Sequence, residues 1–511
     1  MPALPDRIEP QIDYALLVKR YAEQHQAQRW PRQRLLHECL RAAIRDGTLA
    51  AGTRLVASRA LAEELGIARN SVLYAYEQLS SEGYVAGDRR GTVVANIAPD
   101  RARQPAGAAS QHGLSQRARD LRTVAEPASM MKAFTPGVPA LDQFPMALWR
   151  RHVERAMRSL AVEQLNYADP AGEPLLRAAI ADHLRAARGV VCEPEQVFIT
   201  DGTQGSLDIC MRALADEGDM LWMENPGYGG ALAAGRAAGL MIAAIAVDED
   251  GLAPHAGDWL THPPRLIYTT PSHQYPTGGV LSLRRRLALI DAARAAGALI
   301  IEDDYDSEFR HDGPPLPAMQ GLAPDAPVVY LGTFSKTMFP ALRIGFLVAP
   351  PALAAPLAQM RAQSCATGRV ADQLALAEFL RSGQFARHVR RMRRLYRQRR
   401  DALVAALDAH LGSVAEVHGA SSGMHLALRF HDIALNDGAI SAQARAHGIV
   451  AQPLSKHAVK ENRRWRGLML GYAQVPASEI DALVRTLAAL VHLEAYQARR
   501  KTGAAARALG T

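Results

Sequence analysis

GTFSKTMFPALRIG, residues 332–345, brings an amine, two hydroxyls and a fixed cation together in one short segment. Upstream, Val328-Val329-Tyr330-Leu331 is an apolar, β-branched run bounded by Pro327 and Gly332, which predicts a buried strand delivering the segment at its carboxyl end. Thr333 and Ser335 can donate to a phosphate, and Arg343, seven residues past Lys336, can fork onto it with two N–H groups. A lysine desolvated in such surroundings loses its proton and condenses with a carbonyl compound. A lone Ser-Lys pair would read as an ordinary surface lysine; the rest of the segment argues otherwise.

A second segment, LIIEDDYDSEFR (residues 299–310), is a Leu-Ile-Ile strand ending in carboxylates. Alone, Glu302-Asp303-Asp304 admits a metal site or a solvated strand end. Together the two segments resemble the Schiff-base region of fold-type I pyridoxal phosphate enzymes, the aminotransferase superfamily. The resemblance implies that Lys336 forms the Schiff base, that Asp303 faces the pyridine nitrogen and that Tyr305 hydrogen-bonds the ring oxygen. A buried carboxylate there keeps the nitrogen protonated and makes the ring an electron sink.

The same resemblance extends from Phe134 almost to Leu493. NYADPAGEPLLRAAIADHL resembles the stretch whose tyrosine, here Tyr167, crosses a dimer interface to the partner's cofactor phosphate. VFITDGTQGSLDICMRAL reads as strand, glycine turn and helix, an anion site where Thr203 and Gln204 would lie. In MENPGYGGAL, Tyr228 matches the aromatic that stacks on the cofactor ring; a core or turn tyrosine is the plain alternative. Two positions depart from the pattern. Tyr275 in YTTPSHQYPTGG stands where the superfamily has the asparagine of Asn-Pro-Thr-Gly. Met469 in GLMLGYAQVP stands where aminotransferases carry an arginine for the substrate carboxylate, a task left to Arg463, Arg464 or Arg466 nearby.

At 511 residues the chain exceeds one core and predicts two or more domains. Its composition is that of a soluble globular protein, 48% hydrophobic and 22% charged. No apolar run suits a bilayer, and residues 1–11 lack the apolar stretch of a signal peptide, so a cytoplasmic location is expected. Cys39, Cys192, Cys210 and Cys365 are scattered, which suggests neither a disulfide framework nor a zinc cluster. A net charge of +8 permits nucleic-acid binding.

Residues 29–97 read as a module of their own. Leu36, Leu40, Ala43 and Ile44 share one helix face, Ser58 can cap a helix ending at Gly66, and a third helix runs from about Arg69 to Glu82. Tyr84-Val85, a Gly87-to-Gly91 tip and Thr92-Val93-Val94 read as a hairpin. This winged helix-turn-helix resembles the DNA-binding domain of the GntR family, with Ala68 in place of the usual capping serine. The resemblance implies that Arg69, Asn70, Ser71 and Tyr74 face the major groove, that Arg54 and Arg59 hold the backbone, and that Arg89 and Arg90 on the wing reach it or the minor groove.

Between them, residues 98–130 are rich in Ala, Arg, Gln, Ser and Gly and read as a flexible linker with a helical patch near Ser115 to Arg122. The expected fold class is α/β, an N-terminal winged helix-turn-helix joined to an aminotransferase-like domain over residues 131–495. A GntR-like reader tethered to such a body resembles the MocR subfamily of bacterial regulators. That resemblance implies a homodimer on operator DNA that responds to pyridoxal 5'-phosphate or to an amine or amino-acid effector. A working aminotransferase with an accessory DNA-binding domain is the alternative.

Overall fold

The computed structural model describes residues 12–88, 91–96, 115–120, 132–313, 316–364, 368–461 and 464–508. The chain divides into two compact units, residues 1–113 and 114–511.

The first unit contains α1 (Tyr14–Gln24), α2 (Arg32–Arg45), α3 (Ser58–Leu65), α4 (Arg69–Ser81) and a hairpin of β1 (Val85–Asp88) and β2 (Gly91–Val94). The predicted face of α2 is buried: Leu36, Leu40, Ala43 and Ile44 join Leu61, Val72 and Leu79 in one core. Ser58 does not cap α3. The chain leaves its extended conformation at Ala57, one residue earlier, so Ser58 becomes the first helical residue and its Oγ accepts from Arg69 Nε at 3.4 Å. Gly66 closes α3 with φ 60°, a left-handed cap that a side chain would strain. α4 starts after Ala68 without a side-chain cap. The unit also begins before residue 29: the Asp13 carboxylate caps α1 by accepting from Leu16 N at 2.8 Å, and Tyr14 is buried in the core. α1 buries only Tyr14 and Ala22, too sparse a pattern to announce a helix. Of the linker, the described part is Ser115 and the helix Gln116–Asp120; Arg89, Arg90 and the rest of 98–130, save 115–120, lie outside the described residues.

The second unit is built on an eight-stranded sheet. Its strands are β3 (Val197–Thr200), β4 (Met220–Asn225), β5 (Met241–Asp248), β6 (Gly251–Leu252), β7 (Leu266–Thr269), β8 (Leu299–Asp304), β9 (Val328–Thr333) and β10 (Gly345–Val348). They lie in the order β3-β10-β9-β8-β7-β4-β5-β6. β9, β8, β7, β4 and β5 run parallel, whereas β10 is antiparallel to both β3 and β9. This register aligns one edge: Gly345 pairs with both Thr200 and Thr333, and Asp304 pairs with Gly332. The carboxyl ends of β3, β8 and β9 and the start of β10 therefore meet at one level, the usual place for ligands in α/β sheets.

A second sheet holds β11 (Ala415–His418), β12 (His425–Phe430), β13 (Gln452–Pro453) and β14 (Gly467–Gly471) in the order β11-β12-β14-β13. Helices Gln384–Leu411 and Ala477–Ala508 pack on it through Met392, Leu403, Leu407, Ile480 and Val484. The last helix continues past residue 495, where the domain was expected to end.

Candidate functional site

The strand β8 sorts its three carboxylates by alternation, since successive side chains point to opposite faces. Glu302 accepts from the backbone N–H groups of Met319 and Gln320, at 2.9 and 3.1 Å. Asp304 accepts from Arg188 Nε at 2.7 Å and from the Tyr330 hydroxyl at 2.6 Å. Asp303, between them, faces a cavity of about 210 Å³. All three are buried, which removes the solvated-strand-end reading, and the flanking two are committed to structural partners.

That cavity brings together Lys336, Asp303, Tyr305, Thr203, Gln204, Tyr228, Tyr275, Thr333, Ser335 and Arg343. Tyr167 does not line it; its side chain is on the surface, 93% exposed. Lys336 sits in the cavity wall with Nζ donating to the Gly137 carbonyl at 2.9 Å. Desolvation lowers its pKa, against opposing pulls from Asp306 and Asp303. Asp303 Oδ2 accepts from the Tyr268 hydroxyl at 2.7 Å, while Oδ1 is buried without a hydrogen-bond partner in the structure. Burial pushes the Asp303 carboxyl up to about 7.

At the other end, helix Thr203–Ala213 begins at Gly202 without a side-chain cap, and its first residues, Thr203 and Gln204, line the cavity, a suitable place for an anion. Arg343 lies across this turn: its Nη2 donates to the Asp201 carbonyl at 2.8 Å, and a Cβ built on Gly202 would sit 3.5 Å from its Nη1. Arg343 itself is left-handed, φ 51°, and its carbonyl accepts from Arg369 at 2.9 Å. Tyr228 and Tyr275 meet edge to face at 5.4 Å on the wall, and burial pushes the Tyr228 phenol up to about 12. The Tyr305 hydroxyl donates to the His273 carbonyl at 2.8 Å, a bond that competes with the donation to a ring oxygen implied above.

Sequence reasoning missed Tyr268, Asp306 and His425. Tyr268 comes from β7 and His425 from the start of β12, so no local pattern joins either to Lys336. Asp306 had a signal, lying three residues past Asp303. It is buried against His273 Nδ1 at 3.1 Å, and its Oδ2 accepts from Met424 N at 3.1 Å, which ties the β8 edge to the second sheet. Met469 is fully buried in an apolar cluster with Ala427, Leu454 and Trp465, and Tyr275 packs on it. The substitute arginines are engaged elsewhere: Arg464 pairs with Glu249 at 2.6 Å and Arg466 with Asp437 at 3.5 Å. Arg463 lies outside the described residues.

In the N-terminal unit, Arg69, Asn70 and Tyr74 are exposed on the first turns of α4, with Ser71 half-buried. Arg59 is exposed on α3, and Arg54 lies at the base of the hairpin, bridged to Val93.

Residues 33–94 match the family model "Bacterial regulatory proteins, gntR family", and residues 139–487 match "Aminotransferase class I and II". The probable rhizopine catabolism regulatory protein MocR of Rhizobium meliloti is 42% identical over 87% of this chain and 90% of its own length. The chain belongs to the MocR-type transcription regulators of the GntR family. Another relative, the HTH-type pyridoxine biosynthesis transcriptional regulator PdxR of Corynebacterium glutamicum, is 37% identical over 71% of this chain and 76% of its own length. Among solved structures, α-aminoadipate aminotransferase LysN of Thermus thermophilus, complexed with N-(5'-phosphopyridoxyl)-L-leucine, superposes with a TM-score of 0.68 and 26% identity. That match covers 75% of this chain and 98% of LysN, so the body of this regulator has the fold of an aminotransferase. The GntR unit implies DNA binding, and the fold of the body implies pyridoxal phosphate.

Proposed function

We propose that this regulator captures pyridoxal 5'-phosphate through Lys336, and that the cofactor, or an amine that reacts with it, sets the protein's occupancy of its operator. The observation that carries this reading is the unpartnered, buried Oδ1 of Asp303, which shares one cavity with Lys336 and with the anion cradle at Arg343. A protonated ring nitrogen would satisfy that oxygen, and a phosphate would take up the N–H groups at Thr203 together with the Arg343 guanidinium.

Pyridoxal phosphate, when bound, supplies an aldehyde for amines and a ring that accepts electron density. The protein's own groups do the rest. Desolvation favours the neutral amine of Lys336, and the Gly137 carbonyl orients it. The Tyr268 hydroxyl fixes the Asp303 carboxylate so that its free oxygen holds a proton on the facing group. Thr333, Ser335 and Arg343 hold a dianion at the edge of the sheet, and Tyr228 with Tyr275 forms an aromatic wall that excludes water. Tyr167, exposed on the single chain, would be free to reach the partner's cavity in a homodimer.

For regulation, the contact between Asp306 and Met424 offers a route out of the cavity, because it joins the Lys336 environment to the second sheet. Any change of charge on the Lys336 amine would be felt by Asp306, and a ligand shifts an equilibrium only by its differential affinity for the two states. Among the described residues, Met469 cannot hold a substrate carboxylate and Arg464 and Arg466 are paired elsewhere, which favours sensing over ordinary amino-acid transamination. Footprinting the DNA upstream of its own gene, with and without pyridoxal phosphate and a panel of amines, tests the reading. Cofactor-dependent protection supports it; identical occupancy under all conditions overturns it.

A further inference from the structure

The chain's positive charge is not concentrated on its DNA-reading unit. Eight arginines and no acidic residue lie between Gln384 and Arg400, at the start of the helix Gln384–Leu411 in the aminotransferase-like body. That is as large an excess as the net +8 of the whole protein. Packing explains part of the segment: Phe385, His388, Val389, Met392 and Tyr396 face the interior. Arg393 and Arg399 turn in to cap the carbonyls of Glu308 and Ala473. Neither role accounts for Arg390 and Arg394, and all of Arg387, Arg390, Arg391, Arg394 and Arg397 stay exposed. Spaced three and four residues apart, they form one stripe along the outer face, roughly 15 Å long at 1.5 Å per residue.

The stripe keeps its charge. Arg387 donates to the Gln384 side-chain amide oxygen at 3.1 Å, Arg391 to the Gln143 carbonyl and Arg397 to the His311 carbonyl at 2.7 Å, all neutral acceptors. Arg400, just beyond it, is held instead by Asp312 and Asp401. The Gln143 contact ties the stripe to the turn Leu141–Gln143, which leads into the helix Met146–Ser159, whose exposed Arg151, Arg155 and Arg158 repeat the same spacing. Those bonds hold the side chains but leave like charges side by side, which repel one another, so the arrangement calls for an anion. A regular run of forked guanidinium groups suits a row of phosphates.

We infer that this face of the body is a second DNA-binding surface, which grips the sugar–phosphate backbone of duplex flanking the operator. Tethering supplies the occupant: once the GntR unit is on DNA, the flanking duplex is present at high effective concentration for a body on the same chain. Contacts of this kind carry no sequence information but add affinity that falls steeply with salt. The inference rests on DNA binding by the N-terminal unit and is independent of the cofactor reading.

The test uses the full-length protein and an operator selected by it from a random pool, embedded in a 25-bp and a 75-bp duplex. Wild type should bind the longer duplex at least tenfold more tightly, with a steeper dependence of log affinity on log salt. The triple variant Arg387→Gln, Arg390→Gln, Arg394→Gln should lose that advantage and roughly two to three from the salt slope, while keeping its affinity for the 25-bp duplex. Circular dichroism and the spectrum with pyridoxal phosphate should match wild type, and if they do not, the single Arg394→Gln variant should show a slope reduced by about one. Equal binding of both lengths by wild type, an unchanged slope in folded variants, or the same loss on both duplexes would each overturn the inference.

Discussion

Replacing Asp303 by asparagine should stabilise the cofactor-free protein while weakening cofactor capture. The carboxyl is pushed from 3.8 to about 7 chiefly because burial disfavours its charge. Its folded pKa thus lies above its unfolded value. The native state therefore binds more protons than the unfolded chain between pH 4 and 7, and stability falls as pH rises through that window. The full displacement corresponds to roughly 4 kcal/mol lost by pH 8. An amide carries no such charge and still accepts from Tyr268, but its own N–H groups lack a partner, a cost of about 1–3 kcal/mol. The net gain for Asp303→Asn should then be about 1–3 kcal/mol at pH 8 and absent or reversed at pH 5. Urea unfolding of cofactor-free wild type and variant at both pH values measures it. With pyridoxal phosphate added, the ranking at pH 8 should invert, because wild type gains a charge partner that the variant lacks. A stability difference that stays the same from pH 5 to pH 8 would refute the assignment of Asp303 as the strained, buried acid of the cavity.

Arg343→Ala should weaken pyridoxal phosphate binding by roughly 10- to 100-fold while leaving the affinity for unphosphorylated pyridoxal nearly unchanged, as spectral titration with both compounds would show. In the reader, Leu79→Ala removes a side chain with no exposure from the core and should lower that unit's stability by about 2–5 kcal/mol, visible as an earlier melting transition with the cofactor spectrum intact. Arg69→Ala, at the exposed start of α4, should cost roughly 1–3 kcal/mol of operator affinity in a gel-shift titration without altering that melting transition.

Local sequence announced those parts of the molecule that one strand and the turn after it can build. Val328 to Arg343 carries its own strand, turn and functional groups, and the structure sets Thr333, Ser335, Lys336 and Arg343 along one cavity. The helices of the reader were legible because α2 buries a regular face and Gly66 and Gly83 mark helix ends. The cap of α3 was misplaced because it depends on which residue turns the chain, which composition does not specify. α1 stayed hidden because its tie to the core is tertiary: besides the Asp13 cap, Tyr14 N donates to Glu64 at 3.1 Å. The partners of Asp303 and Lys336 were illegible for the same reason. Tyr268 is set beside Asp303 only by the pairing of β7 with β8, and His425 reaches the cavity from a different sheet. The cluster around Met469 shows the converse, a single residue visible in the sequence whose apolar surroundings only packing reveals.

Borohydride reduction of the protein loaded with pyridoxal phosphate, followed by peptide mass mapping, reaches the centre of the account most directly. One phosphopyridoxyl group should be found on Lys336, with the visible absorbance lost on reduction and absent from Lys336→Ala. A loaded protein that stays colourless, or a label spread over other lysines with residue 336 unmodified, would contradict it.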